Sequence, residues 1–76
     1  KSAETVCYEI FREILRVSRA SENDVLRVMA SRAVVDRLLD EESDIMAELQ
    51  ELVAKTVKFE VEPMYTQEQF DVVLSG

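Results

Sequence analysis

Four sets of residues in this chain have types that chemistry uses. Asp40-Glu41-Glu42-Ser43-Asp44 gathers carboxylates of the kind that bind a hard cation. It lacks the alternating acids and central glycine of a calcium loop, so it reads as a solvated turn that also caps a helix. Cys7 could act as a nucleophile only beside a base, and the chain contains no histidine. Its place on the edge of an apolar helical stripe makes it a small buried hydrophobe. Arg12, Arg16 and Arg19 line one side of a helical stretch, where guanidinium groups could meet phosphates. Their glutamate neighbours compete for them, and a solvated, internally paired face follows. Tyr65 and Phe70 flank Thr66-Gln67-Glu68-Gln69 and could stack bases. No basic residue follows Lys58, so the electrostatic half of such a site is missing and packing is the better reading. A glycine-rich phosphate loop, a CxxC pair and a Ser/His/Asp set are all absent from the sequence. It therefore points away from catalysis by these residues, and it supplies no cofactor or metal site.

The whole chain narrows the classes further. Its 76 residues make one domain, 1–76, with a hydrophobic fraction of 47%. The single cysteine excludes an internal disulfide and suggests a reducing, cytoplasmic setting. No apolar run approaches the length of a membrane-spanning helix, and no signal peptide is visible. The sequence starts at Lys1 and runs straight into a helical pattern, which suggests a piece of a longer protein. The net charge is −7, unevenly spread. Residues 21–54 hold three arginines against nine acids, a balance of −6 that would repel a phosphate backbone.

These side chains need elements to hold them. Ser2 can cap a helix over Ala3–Arg19, with Glu4 in its first turn. Ala3, Val6, Cys7, Ile10, Ile14 and Val17 form its apolar stripe, and Glu9–Arg12 and Glu13–Arg16 are i,i+3 pairs on the far side. Val25–Ala30 reads as a short strand, with Leu26 and Val28 on one face. Ser31 is an N-cap candidate before Val34, Val35, Leu38 and Leu39. Ile45, Met46, Leu49, Leu52 and Val53 form a second helical stripe. Periodicity alone does not divide 32–54. Asp40 and Ser43 both suit an N-cap, which favours two helices with a turn near Asp40–Ser43. Thr56–Glu62 alternates as a strand, with Val57, Phe59 and Val61 inward, and Pro63 stops it. Phe70–Leu74 reads as the last strand, with Phe70, Val72 and Leu74 on one face. The order α-β-α-α-β-β gives an α+β fold: a small, mainly antiparallel three-stranded sheet with helices packed on one face.

That arrangement leaves apolar residues outside. Val25, Met29 and Val73 would lie on the outer sheet face beside Arg27, Lys58, Glu60, Glu62 and Asp71. Tyr8, Phe11 and Leu15 widen the apolar side of the first helix. Together these six residues form a candidate partner interface.

Two strings carry a resemblance. Glu4–Arg16 (ETVCYEIFREILR) and Val61–Leu74 (VEPMYTQEQFDVVL) resemble the C-terminal end of the catalytic half of the ribonuclease E/G family. Val35–Ser43 (VDRLLDEES) fits the middle of the same region, so the resemblance covers nearly the whole chain. The family comprises bacterial and plastid endoribonucleases that cut single-stranded RNA in rRNA maturation and mRNA decay. The resemblance places the magnesium-binding aspartates, the 5′-end sensor and the OB-type RNA-binding domain upstream of this region. A CxxC-type zinc link that joins protomers also lies upstream, and Cys7 is not part of such a pair. Magnesium and zinc are thus implied for the parent enzyme and not for these residues. The chain would be the small domain after that link, associated with dimer and tetramer assembly. The β-α-α-β-β order is also similar to a KH core, but Asp40-Glu41-Glu42-Ser43 stands where a KH domain carries its GxxG. The expectation is a packing and homo-oligomer assembly module of an RNA-cutting enzyme. The alternative is an accessory RNA-binding module using Arg12, Arg16 and Arg19 with Lys55 and Lys58. The acidic middle of the chain implies weak or no RNA binding by this segment alone.

Overall fold

The first helix forms where its cap and stripe place it. In the computed structural model, which describes residues 1–75, α1 runs Ala3–Arg19, and Ser2 Oγ accepts the backbone N–H of Thr5 at 3.1 Å. β1 (Val25–Ala30), α2 (Arg32–Leu39), α3 (Ser43–Val53), β2 (Thr56–Val61) and β3 (Phe70–Ser75) follow. The stretch 32–54 is two helices, as the polar break suggested. The capping differs from expectation in detail. Glu42 is the N-cap of α3, Asp40 closes α2, and neither Glu42 nor Ser31 makes a side-chain cap bond.

The sheet is mixed, where the sequence suggested a mainly antiparallel one. Its order is β2-β1-β3, with β1 parallel to β2 and antiparallel to β3. The reason lies in the connections. The two-helix crossover returns the chain to the start of β1, setting Thr56 beside Val25, so β2 must run parallel. Residues 62–69 then pass over the end of β1, and Phe70 begins β3 beside Ala30 on the other side.

All three helices cover one face. Val6, Cys7, Ile10 and Ile14 of α1, Leu26, Val28 and Ala30 of β1, and Val34 and Leu38 of α2 are fully buried. Met46 and Leu49 of α3 and Val57 of β2 complete the core, and Phe59, Val61, Phe70 and Val72 pack against it half-buried. Each fully buried valine, leucine or isoleucine side chain stabilises the fold by about 1.5–3 kcal/mol. Leu74, expected on this inner face with Phe70 and Val72, is 47% exposed at the far end of the strand.

One ion network ties the helices together. Arg37 of α2 donates to Glu42 at 2.9 Å and to Glu4 of α1 at 3.1 Å, and lies 2.6 Å from Glu41. Glu42 is buried. The acid run is therefore not wholly the solvated turn expected of it: two of its carboxylates hold an arginine that links α1 to the α2–α3 turn. A buried charge is tolerated when it is paired in this way.

Candidate interaction surface

The expected interface residues fall on opposite sides of the molecule. Tyr8, Phe11 and Leu15 belong to α1, on the helical side. Val25, Met29 and Val73 lie on the bare face of the sheet, around Arg27, Lys58, Glu60 and Asp71. Phe11 leaves the set, because only 8% of it is exposed and it packs in the core. Tyr8 is 45% exposed, its ring 5.9 Å from that of Phe11. Glu4 and Glu42 raise the pKa of its hydroxyl by their negative charge. Leu15 is half-buried. On the sheet, Val25 and Met29 are half-buried between neighbouring strands, and Arg27 reaches Glu60 at 3.6 Å. Tyr65 donates its hydroxyl to Asp71, and that bond raises the tyrosine's pKa.

A further exposed apolar surface is one the sequence reading did not single out. Ile45 is 42% exposed and Leu52 is 74% exposed, both on α3. With the buried Leu49 between them they make an i, i+4, i+7 ridge along the helix. Beside it, Leu15, Ser18 and Arg19 of α1 and Leu52 and Val53 of α3 line an open depression of about 300 Å³. Asp44, Glu48 and Glu51 rim the ridge, all exposed. The signal was present in the sequence. Five large apolar residues between Ile45 and Val53 are more than one core-facing stripe needs.

The cations do not converge. Arg16 is held by Glu13, with its Nε 2.8 Å from the carboxylate. Lys1 Nζ takes Glu9 at 2.7 Å, so the expected Glu9–Arg12 pair does not form. Arg12 and Arg19 are exposed and have no ion-pair partner among the described residues. Arg12 and Arg16 share a depression with Glu9, Glu13 and Glu68, so their charge is offset where it stands. Lys55 donates to the carbonyls of Ser21, at 3.1 Å, and Asn23. Lys58 lies on the far face of the sheet. No single surface gathers the five residues that an RNA grip would use.

Cys7 is fully buried, and its thiol points to the carbonyl of Val34 at 3.8 Å. Burial pushes its pKa up to about 11, opposite to what activates a nucleophilic thiol. Among the described residues no group of three His, Cys, Asp or Glu is placed to hold a metal ion. No described helix is long and apolar enough to cross a membrane.

Comparison with known proteins gives this geometry a context. No family model matches the chain. It is 55% identical over 74 residues to ribonuclease G of Salmonella typhimurium and 54% identical over 74 residues to ribonuclease G of Escherichia coli K12. It is 47% identical over 75 residues to ribonuclease G of Haemophilus influenzae. Each match covers 97% of this chain, and the chain spans about 15% of the length of these relatives.

Proposed function

We infer, from the premise that this chain belongs to the ribonuclease E/G family, that it is the small non-catalytic domain of an endoribonuclease, serving packing and assembly. In this reading the longer protein cuts single-stranded RNA with magnesium and carries a zinc link between protomers. Both metal sites would lie outside these 76 residues. A cytoplasmic setting accompanies that role.

The observation that carries the reading is the aliphatic ridge on α3. A lone domain this small gains nothing from leaving Leu52 74% exposed beside Ile45 and Leu15. Surfaces of this kind lose water when another part of an assembly covers them. The test uses the longer protein. Making Leu15 and Leu52 polar should leave this domain folded and weaken assembly or docking, read by sedimentation. Unchanged assembly would remove the reading's support.

The second reading, RNA binding by Arg12, Arg16 and Arg19, is favoured only by the free guanidinium groups of Arg12 and Arg19. Titration of the chain with single-stranded RNA at low salt discriminates, because phosphate contacts strengthen as salt falls. We expect no saturable binding, since Glu9, Glu13 and Glu68 stand among the cations.

A further inference from the structure

The acids of α1 and α3 are employed differently. Glu4, Glu9 and Glu13 of α1 each hold a cation, Arg37, Lys1 and Arg16 in turn. Asp44, Glu48 and Glu51 of α3 hold none among the described residues, and α3 itself contains no basic residue. Glu51 stands in the last turn, against the negative end of the helix dipole, where an acid is unfavourable. These three unpaired carboxylates border the Ile45–Leu49–Leu52 ridge, so the uncovered apolar surface and the uncompensated charge fall together.

Leu52 borders two open depressions. One is the depression of about 300 Å³ shared with Leu15, Ser18 and Arg19 of α1. The other, of about 200 Å³, is lined by Ile45, Glu48, Leu49 and Leu52. Each has room for a large aliphatic side chain. From Ile45 to Leu52 the helix rises about 10 Å, the length of two turns of a helix laid along it.

We propose that the α3 ridge and its two depressions dock a basic amphipathic helix of a different protein. Such docking rests on the assembly reading above and names the chemistry of what covers the ridge. Aliphatic side chains of the occupant fill the depressions, and its lysines or arginines face Asp44, Glu48 and Glu51. The rim decides among occupants. A second copy would bring the same three acids and a net charge of −7 to this face, and like charges repel. RNA and an anionic lipid surface carry the sign of the rim and are turned away for the same reason. A basic helix neutralises the acids while it takes Ile45 and Leu52 out of water. Arg19, the cation that lines the larger depression, gives the site a polarity: the carbonyl end of the occupant, negative by its own dipole, lies beside it.

The test titrates the chain with designed helical peptides of about 18 residues, followed by amide chemical shifts. One peptide carries leucines at i, i+3, i+4 and i+7 flanked by lysines. A second carries the same leucines flanked by glutamates, and a third the lysines with serine at each leucine. The lysine–leucine peptide should shift the amides of α3 and bind about tenfold more tightly at low salt than the glutamate–leucine peptide. The serine peptide should not saturate. Leu52→Ser changes a side chain that is 74% exposed, so the core stays intact, and it should weaken binding about tenfold. Glu48→Lys with Glu51→Lys should reverse the preference between the two leucine peptides. Glu60→Lys with Asp71→Lys makes the same change of net charge on the bare sheet face and should keep it. Binding that ignores Leu52→Ser overturns the proposal, and so does a preference that both double variants lose alike, because bulk charge then explains it. Binding by the chain but not by the longer protein means that the longer protein's own residues fill the site; it overturns a separate partner and leaves the assembly reading standing. A mass that rises above 8.7 kDa with concentration, and no longer does so in Leu52→Ser, identifies a second copy and overturns the proposal. Sedimentation of the longer protein with Leu15 and Leu52 made polar decides the assembly reading separately, whichever peptide binds.

Discussion

The β2 and β3 edges flank the same central strand, yet they are finished differently. Leu26 has Val57 on one side and Leu74 on the other. Val57 is 6% exposed and its amide is capped by Gln50, whereas Leu74 is 47% exposed with its backbone groups turned outward. A three-stranded sheet has two edges to manage, and here Gln50 of α3 caps the first outward amide of one of them. The difference shows which edge a helix side chain reaches and which it does not.

The change that should break both edges at once is Leu26→Ala. It removes a fully buried side chain that supports Val57 and Leu74 together, and should cost about 2–5 kcal/mol in denaturant unfolding. A smaller and unequal effect separates the edges. Val57→Ala should cost about 2 kcal/mol, and Leu74→Ala about 1 kcal/mol or less, because Leu74 retains water in the folded state. Equal costs would mean that the two edges are equally closed. Gln50→Ala should cost about 1 kcal/mol by leaving the Val57 N–H unpaired. It should also speed exchange of that amide while Phe70, Val72 and Leu74 keep their rates. Ala54 precedes β2 with a left-handed φ of 56°. Ala54→Gly should raise stability by about 0.5–1 kcal/mol, since glycine adopts that conformation without strain.

Cys7, packed against Val34 of α2, serves as the control. Its folded pKa of about 11 lies above the ordinary 9.0, so the folded state holds the proton more tightly. Its contribution to stability is complete below about pH 9 and is lost as pH rises through about 11. Thermal unfolding should show a decline across that window that Cys7→Ala reduces. At pH 8 the native thiol should alkylate far more slowly than in the unfolded chain, and Gln50→Ala should change that rate only as far as it lowers global stability.

Local signals carried most of the architecture. Ser2 three residues before Thr5, the alternation from Thr56 to Val61, and the acid break after Leu39 each act within a few residues, and each set an element where it was expected. Pairing order is a different kind of property. Nothing near Thr56 states that it will lie parallel to Val25; that follows from where the two-helix crossover delivers the chain. The same reason separates the interface residues. Tyr8 and Leu15 resemble Val25 and Val73 in composition, but the sheet stands between them, and the first helix turns Phe11 into the core.

By itself, the sequence determined the helices, the strands and the inward faces of the central strand, because periodicity and capping are local. It also carried the kinship with ribonuclease G, borne by 97% of the chain. The tertiary structure alone decided that Arg37 gathers Glu4, Glu41 and Glu42, that Gln50 caps the Val57 amide, and that Leu52 and Leu74 stay exposed. Those outcomes depend on contacts between residues far apart in the chain, and such distances are fixed only when the elements pack.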